Sequence, residues 1–215
     1  EGLERDQSPV AEVAVIMSEK SPMSLQLDIR TQRSIFWENF YHTFDRVGTP
    51  VDVLLTSSLK DADMDRYKVV FLPNCFALTR EEREQIEKLK SKHRTLVFYQ
   101  FDGLIDLDAD PSDSAIQPEA VSRLSGIGLS ESPYMIQMRA TLRDDHELLE
   151  GAEDEVYGAL LEKGYNLTVN DEDATVLGHI QSRNAPAVAM KEYKDWTSVY
   201  SAMPALPSRF AHNLI

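Results

Sequence analysis

One cysteine, five histidines and a surplus of carboxylates are the groups from which this chain could build reactive chemistry. Cys75 follows the apolar run Val69-Val70-Phe71-Leu72 and its Pro73-Asn74 stop, and Thr79 opens a helix four residues later. A helix amino terminus lowers a thiol pKa when the sulfur sits on it, and a thiolate nucleophile also needs a base. The helix begins too late for the first. None of His42, His93, His146, His179 and His212 stands at a predicted strand end near Cys75 for the second. Cys75 therefore reads as a small buried residue. A nucleophile elbow at Tyr99-Gln100-Phe101-Asp102-Gly103 would need Ser or Cys between small residues, and neither is present. Asp102-Gly103 reads as turn chemistry rather than as a catalytic acid. Asp144, Asp145, His146 and Glu147 are consecutive, a spacing that rarely converges on one ion, so no metal site is expected. Ser18-Glu19-Lys20-Ser21-Pro22 after the first strand holds no glycine, which excludes a phosphate or dinucleotide loop; no cofactor is expected. Asn166-Leu167-Thr168 matches a glycosylation acceptor but lies inside a predicted strand.

The elements that would position these groups centre on residues 67–103. Residues 69–72 are continuously apolar, the pattern of a strand buried on both faces. Thr79 and Glu82 have capping-box spacing and start a helix with glutamates early and lysines late, as the helix dipole favours. Residues 95–99 form a second apolar, β-rich run, so the stretch reads as a strand–helix–strand crossover. Before it come strands over 13–17 and 51–55. Between those, a helix from about Arg30 to Val47 carries Phe36, Phe40, Phe44 and Val47 at helical spacing, with Ile35, Trp37 and Tyr41 beside them; this stripe is core. After Gly103 an acidic loop spans 106–117 and a short helix spans 118–124. Strands are expected over 134–141, 165–169, 174–180, 187–190 and 197–201, and a helix begins at Ser208. The simplest architecture is an α/β domain with an open, mostly parallel sheet, helices on both faces and a strand-rich second half. In such sheets ligands bind outside the carboxyl ends of the strands, which here makes Glu19, Asn74, Cys75, Gln100 and Asp102 the candidate binding residues.

Composition narrows the partners. The 215 residues suffice for one domain with a substantial core, read as a lead-in over 1–12 and a single domain over 13–215. A net charge of −14 disfavours nucleic acid and anionic membranes as partners. No apolar run approaches the roughly 18 residues of a membrane span. The lone cysteine excludes an internal disulfide framework and leaves the compartment open, cytoplasmic or exported. The chain starts at Glu1 rather than Met, so it is expected to be a processed or excised part of a larger protein.

The order VAVIMSEKS, aromatic helix, GTPVDVLL, DRYKVVFLPNCFALTREEREQIEKL, RTLVFYQFDGLID resembles the class I glutamine-amidotransferase-like domain that follows the catalytic barrel in family 42 β-galactosidases and related large glycoside hydrolases, where it is called the trimerisation domain. The tail, NDEDATVLGHI, APAVAMKE and SVYSAMPALPSRFAHNLI, is similar to the end of those domains, while residues 106–154 match weakly. The resemblance implies a flavodoxin-like three-layer sandwich. It implies a domain without the amidotransferase nucleophile, in keeping with Gln100-Phe101-Asp102 at the elbow. It further implies a catalytic barrel in the parent chain as partner, a homo-oligomer, and carbohydrate as ligand class.

The expected function is that of a non-catalytic accessory domain of a β-galactosidase-like glycoside hydrolase, supporting oligomerisation or shaping a neighbouring barrel's active site. The alternative is a free-standing hydrolase or small-molecule binding domain on the same scaffold, using Cys75 or Asp102 with a histidine from the second half.

Overall fold

The computed structural model describes residues 10–24, 39–110, 116–132, 136–143, 145–163 and 166–215. In chain order these form β1 (Val13–Met17), α1 (Ser21–Ser24), α2 (Asn39–Phe44), β2 (Val51–Leu55), β3 (Val69–Leu72), β4 (Ala77–Leu78), α3 (Arg80–Lys88), β5 (Arg94–Tyr99) and β6 (Ile105–Asp106). There follow α4 (Pro118–Ser125), β7 (Leu129–Ser132), β8 (Ile136–Leu142), β9 (Val156–Lys163), β10 (Asn166–Val169), β11 (Thr175–Ile180), β12 (Pro186–Glu192), β13 (Trp196–Ser201) and α5 (Ser208–Asn213). Ile35, Phe36 and Trp37 of the expected aromatic stripe, and Tyr134 and Tyr165 of two expected strands, lie outside the described residues.

A nine-stranded sheet organises the domain, in the order β2-β1-β3-β5-β13-β12-β11-β8-β9. From β2 to β13 every neighbouring pair is parallel. From β13 to β9 every pair is antiparallel. Two small sheets, β10 with β7 and β4 with β6, stand outside it.

This corrects the expected flavodoxin-like sandwich with its mostly parallel sheet and helices on both faces. Sheet dominates, it is mixed, and the helices are few and short among the described residues. The physical reason is connection length. A parallel neighbour needs a crossover of a dozen or more residues, whereas a short loop joins only antiparallel strands. The links from β11 to β12 (residues 181–185) and from β12 to β13 (residues 193–195) are too short for a crossover.

The parallel half is held by its apolar strands. All of β3, and Val13 to Ile16 of β1, are buried. Phe44 of α2 meets Phe71 edge-on, with ring centroids 4.9 Å apart, so α2 covers the Phe71 face. The start of β5 is pinned by the buried Arg94, whose guanidinium donates to the carbonyls of Tyr67, Leu89 and Met64, each at 2.8 Å. At the carboxyl ends of the parallel strands the chain adds a second tier. Ser18 Oγ accepts from Ser21 N and donates to the Ala77 carbonyl, while Ala77 N donates to Ser21 Oγ. These bonds tie α1 to β4, and β6 pairs alongside β4 in parallel.

Candidate functional site

Two polar clusters sit at the strand carboxyl ends, one open to solvent and one closed. The open one centres on Glu82, the third residue of α3. Its Oε2 accepts from Thr79 N at 2.8 Å while Thr79 Oγ1 accepts from Glu82 N at 3.3 Å, which completes the expected capping box. Its Oε1 accepts from Lys20 Nζ at 2.7 Å and from Thr56 Oγ1 at 2.8 Å. The same hydroxyl lies 3.2 Å from Glu19 Oε2. Lys20 comes from the loop after β1, Thr56 from the turn after β2 and Glu82 from the helix after β3. One carboxylate therefore ties together the ends of three parallel strands.

Burial raises the pKa of Glu82, but Lys20, the Thr79 N–H and the Thr56 hydroxyl more than offset it, leaving the carboxyl below its ordinary value. Glu19 behaves likewise. Burial raises its pKa, and the Ser57 hydroxyl, its own backbone N–H and Thr56 bring the net value down. Both are carboxylates at neutral pH. Glu82 lines a cleft of about 330 Å³ together with Lys20, Thr56, Ser57, Lys60 and Asp108, among others, and Glu19 stands beside its Thr56.

The closed cluster holds Asn74, Cys75, Gln100 and Asp102, all buried, together with Tyr99. Asn74 and Gln100 take positive φ values of 61° and 36°, so the chain turns sharply where β3 and β5 end. Asp102 Oδ2 accepts from Tyr99 N at 2.6 Å, and Gly103 N donates to the Cys75 carbonyl at 2.8 Å. Asp102 Oδ1, the Tyr99 hydroxyl and both side-chain polar atoms of Gln100 are buried without a hydrogen-bond partner among the described residues. Burial pushes Asp102 well above the usual carboxylate range, against the backbone N–H groups of Tyr99 and Cys75. Burial also pushes the Cys75 thiol up, and the nearby Asp102 adds to it. The thiol donates to the Ile16 carbonyl at 3.3 Å. This is a buried, neutral thiol, unlike the exposed thiolate of a nucleophilic site.

The five residues singled out from the sequence are thus divided. Asn74, Cys75, Gln100 and Asp102 come together, but in the closed interior. Glu19 stands apart beside Thr56 and is only partly buried. Sequence reasoning puts Thr56 at a strand carboxyl end without making it a candidate, misses Lys20 and takes Glu82 for a helix cap alone. The available signal was Thr56 directly after the second apolar strand and the Glu19-Lys20 pair two and three residues after the first.

The described histidine side chains are placed elsewhere. His93 lies at the amino end of β5, and His179 on β11. His146 Nδ1 accepts from Leu148 N, and His212 Nδ1 lies 2.7 Å from the Val47 carbonyl. No group of three or more His, Cys, Asp or Glu among the described residues could hold a metal ion. Asp144 of the expected acidic turn lies outside the described residues. Asn166 is fully buried in β10, out of reach of glycosylation in the folded domain. Among the described residues no helix is long and apolar enough to cross a membrane.

Among solved structures the chain is similar to a GH42 β-galactosidase from G. stearothermophilus, at 20% identity and a TM-score of 0.63, covering 94% of this chain and 28% of that one. It is similar to the β-galactosidase from Bacillus circulans sp. alkalophilus, at 17% identity and a TM-score of 0.61, covering 95% and 30%. An exo-β-1,4-mannosidase from an Opitutaceae bacterium aligns at 13% identity and a TM-score of 0.51, covering 93% and 32%. The chain therefore spans about 30% of the length of these relatives. At such identities the likeness shows the fold. No curated protein sequence matches the chain. The profile of the β-galactosidase trimerisation domain matches residues 11–215. With both clusters inside a match of that extent, the chain belongs to the β-galactosidase trimerisation domain family, whose members are accessory, non-catalytic domains of glycoside hydrolases.

Proposed function

We propose that this chain is the assembly module of a larger glycoside hydrolase, with a lead-in over residues 1–12 and one domain over 13–215. A catalytic barrel elsewhere in the polypeptide carries the glycosidic chemistry, and copies of this domain hold three such polypeptides together. The family match over residues 11–215 carries this reading, set beside solved relatives about three times as long. The closed cluster supports it from the chemical side. Cys75 and Asp102 are buried, held by backbone partners and protonated more readily than their free counterparts. On this reading Asn74, Cys75, Gln100 and Asp102 keep the strand ends in place, while Glu19, beside the cleft-lining Thr56, is the candidate left within reach of a carbohydrate.

The likeness to class I glutamine amidotransferases is a proposal about ancestry. Its support is the strained turn at Gln100, a positive-φ residue between strand and loop where such enzymes place their nucleophile.

The test is the mass of the native polypeptide in its source cells, detected with an antibody against this domain. A band far above 24.4 kDa is expected. A band near that mass would overturn the reading and make Cys75 and Asp102 the first residues to mutate.

A further inference from the structure

We propose that the outer edge of β2, with Val53 and Leu55, is a surface on which a second copy of this chain docks; the inference rests on the trimer reading above. β2 ends the nine-stranded sheet, and among the described residues it has a strand on one side only. Val53 is 53% exposed and Leu55 46%. Both lie on the same face of the strand, since side chains alternate. In register they stand beside Val15 and Met17 of β1, and Val15 stands beside Phe71 of β3. One apolar stripe therefore crosses the parallel strands on the face that α2 covers. Phe44 covers it at Phe71, and at β2 it runs out into solvent.

Natural edge strands are blunted by charge, proline or a bulge. β2 reads Val-Asp-Val-Leu-Leu with no proline, and it pairs with β1 without a register shift. Its one charge is already engaged: Asp52 accepts from the Tyr67 hydroxyl at 2.8 Å and pairs with Arg66. The occupant follows from the family's description as a trimerisation domain and from the assembly reading above, in which copies of this domain hold three polypeptides together. A closed three-fold ring is built from head-to-tail contacts, so β2 of one copy meets a different patch of the next. Pairing of β2 with β2 would generate a two-fold dimer instead.

The experiment is sedimentation equilibrium of the full-length polypeptide that carries this domain. It compares wild type with Val53→Asp, Leu55→Lys and a control, Val156→Asp, at the 40% exposed first residue of β9 on the opposite sheet edge. Thermal melts followed by circular dichroism report folding. Should Asp at 53 prevent folding, Val53→Ser removes apolar surface without adding charge. The expected result is a trimeric wild type, a trimeric Val156→Asp, and β2 variants whose trimer dissociates at least about tenfold more readily. β2 variants as trimeric as wild type, or a Val156→Asp that dissociates as they do, would overturn the surface while leaving the trimer reading intact. A monomeric wild type would overturn the trimer reading itself.

Discussion

Replacing Glu82 by alanine removes, at a single position, the acceptor for Lys20 Nζ, Thr56 Oγ1, Thr79 N and Thr79 Oγ1. The magnitude can be built from these contacts. Loss of one half of a capping box costs on the order of 1 kcal/mol. The Lys20 bond is charge-assisted and worth about 1.5–3 kcal/mol in a buried setting. The lysine side chain is 37% exposed, however, so it can turn to water and the lower end applies. Thr56 is buried, but its hydroxyl has Glu19 Oε2 at 3.2 Å as an alternative acceptor, which limits that loss to a few tenths of a kcal/mol. The sum is about 3 kcal/mol for Glu82→Ala. Glu82→Gln keeps the shape and an acceptor and loses the charge, for roughly half that. The folded pKa of Glu82 lies below its ordinary 4.5. Its stabilisation is therefore fully present above about pH 4.5 and is lost as pH falls through the folded value. Urea unfolding of wild type and both variants at pH 7 and pH 3 tests this. The wild-type advantage over Gln should shrink at pH 3, while the Ala–Gln difference changes little. A cost for Glu82→Ala below about 1 kcal/mol, or a wild-type advantage over Gln unchanged at pH 3, would refute the account of Glu82 as the charged tie of three strand ends.

Two further predictions concern the closed cluster. Asp102 titrates in the opposite sense: its folded pKa is raised above 3.8, so wild type loses stability as pH rises through that window and levels off above the folded value. Asp102→Asn keeps the acceptor for Tyr99 N and cannot ionise. Relative to it, wild type should weaken by about 1.4 kcal/mol per pH unit inside the window, and parallel urea-stability curves between pH 4 and pH 8 would contradict this. Cys75 should react with a thiol-specific chromogenic reagent at the rate of domain opening, hundreds-fold or more slower than a free thiol at the same pH, and fully in denaturant; prompt reaction in the native state would mean that the site is accessible.

Much of the parallel half was legible in the sequence. β1, β2 and β3 stand where their apolar runs lie, and the Thr79–Glu82 pair marks the start of α3. Those signals are local: a strand buried on both faces has no polar alternation, and a capping box needs only four residues. The polarity of the later strands was not read, although the short links around β12 hold the information. β4 and β6, two residues each, have no periodicity to find. That omission also hid the character of the site. Asn74, Cys75, Gln100 and Asp102 were placed at strand ends, where they are. The α1–β4 tier next to them is tied by bonds from Ser18 and Ser21 to Ala77, which join residues 59 and 56 positions apart and which no local pattern reveals.

The central claim is that this domain serves assembly rather than catalysis. Sedimentation equilibrium of the full-length wild-type polypeptide, at concentrations from nanomolar to tens of micromolar, tests it most directly. The account predicts a mass three times that of the polypeptide across the micromolar range. A mass equal to one polypeptide throughout would contradict it.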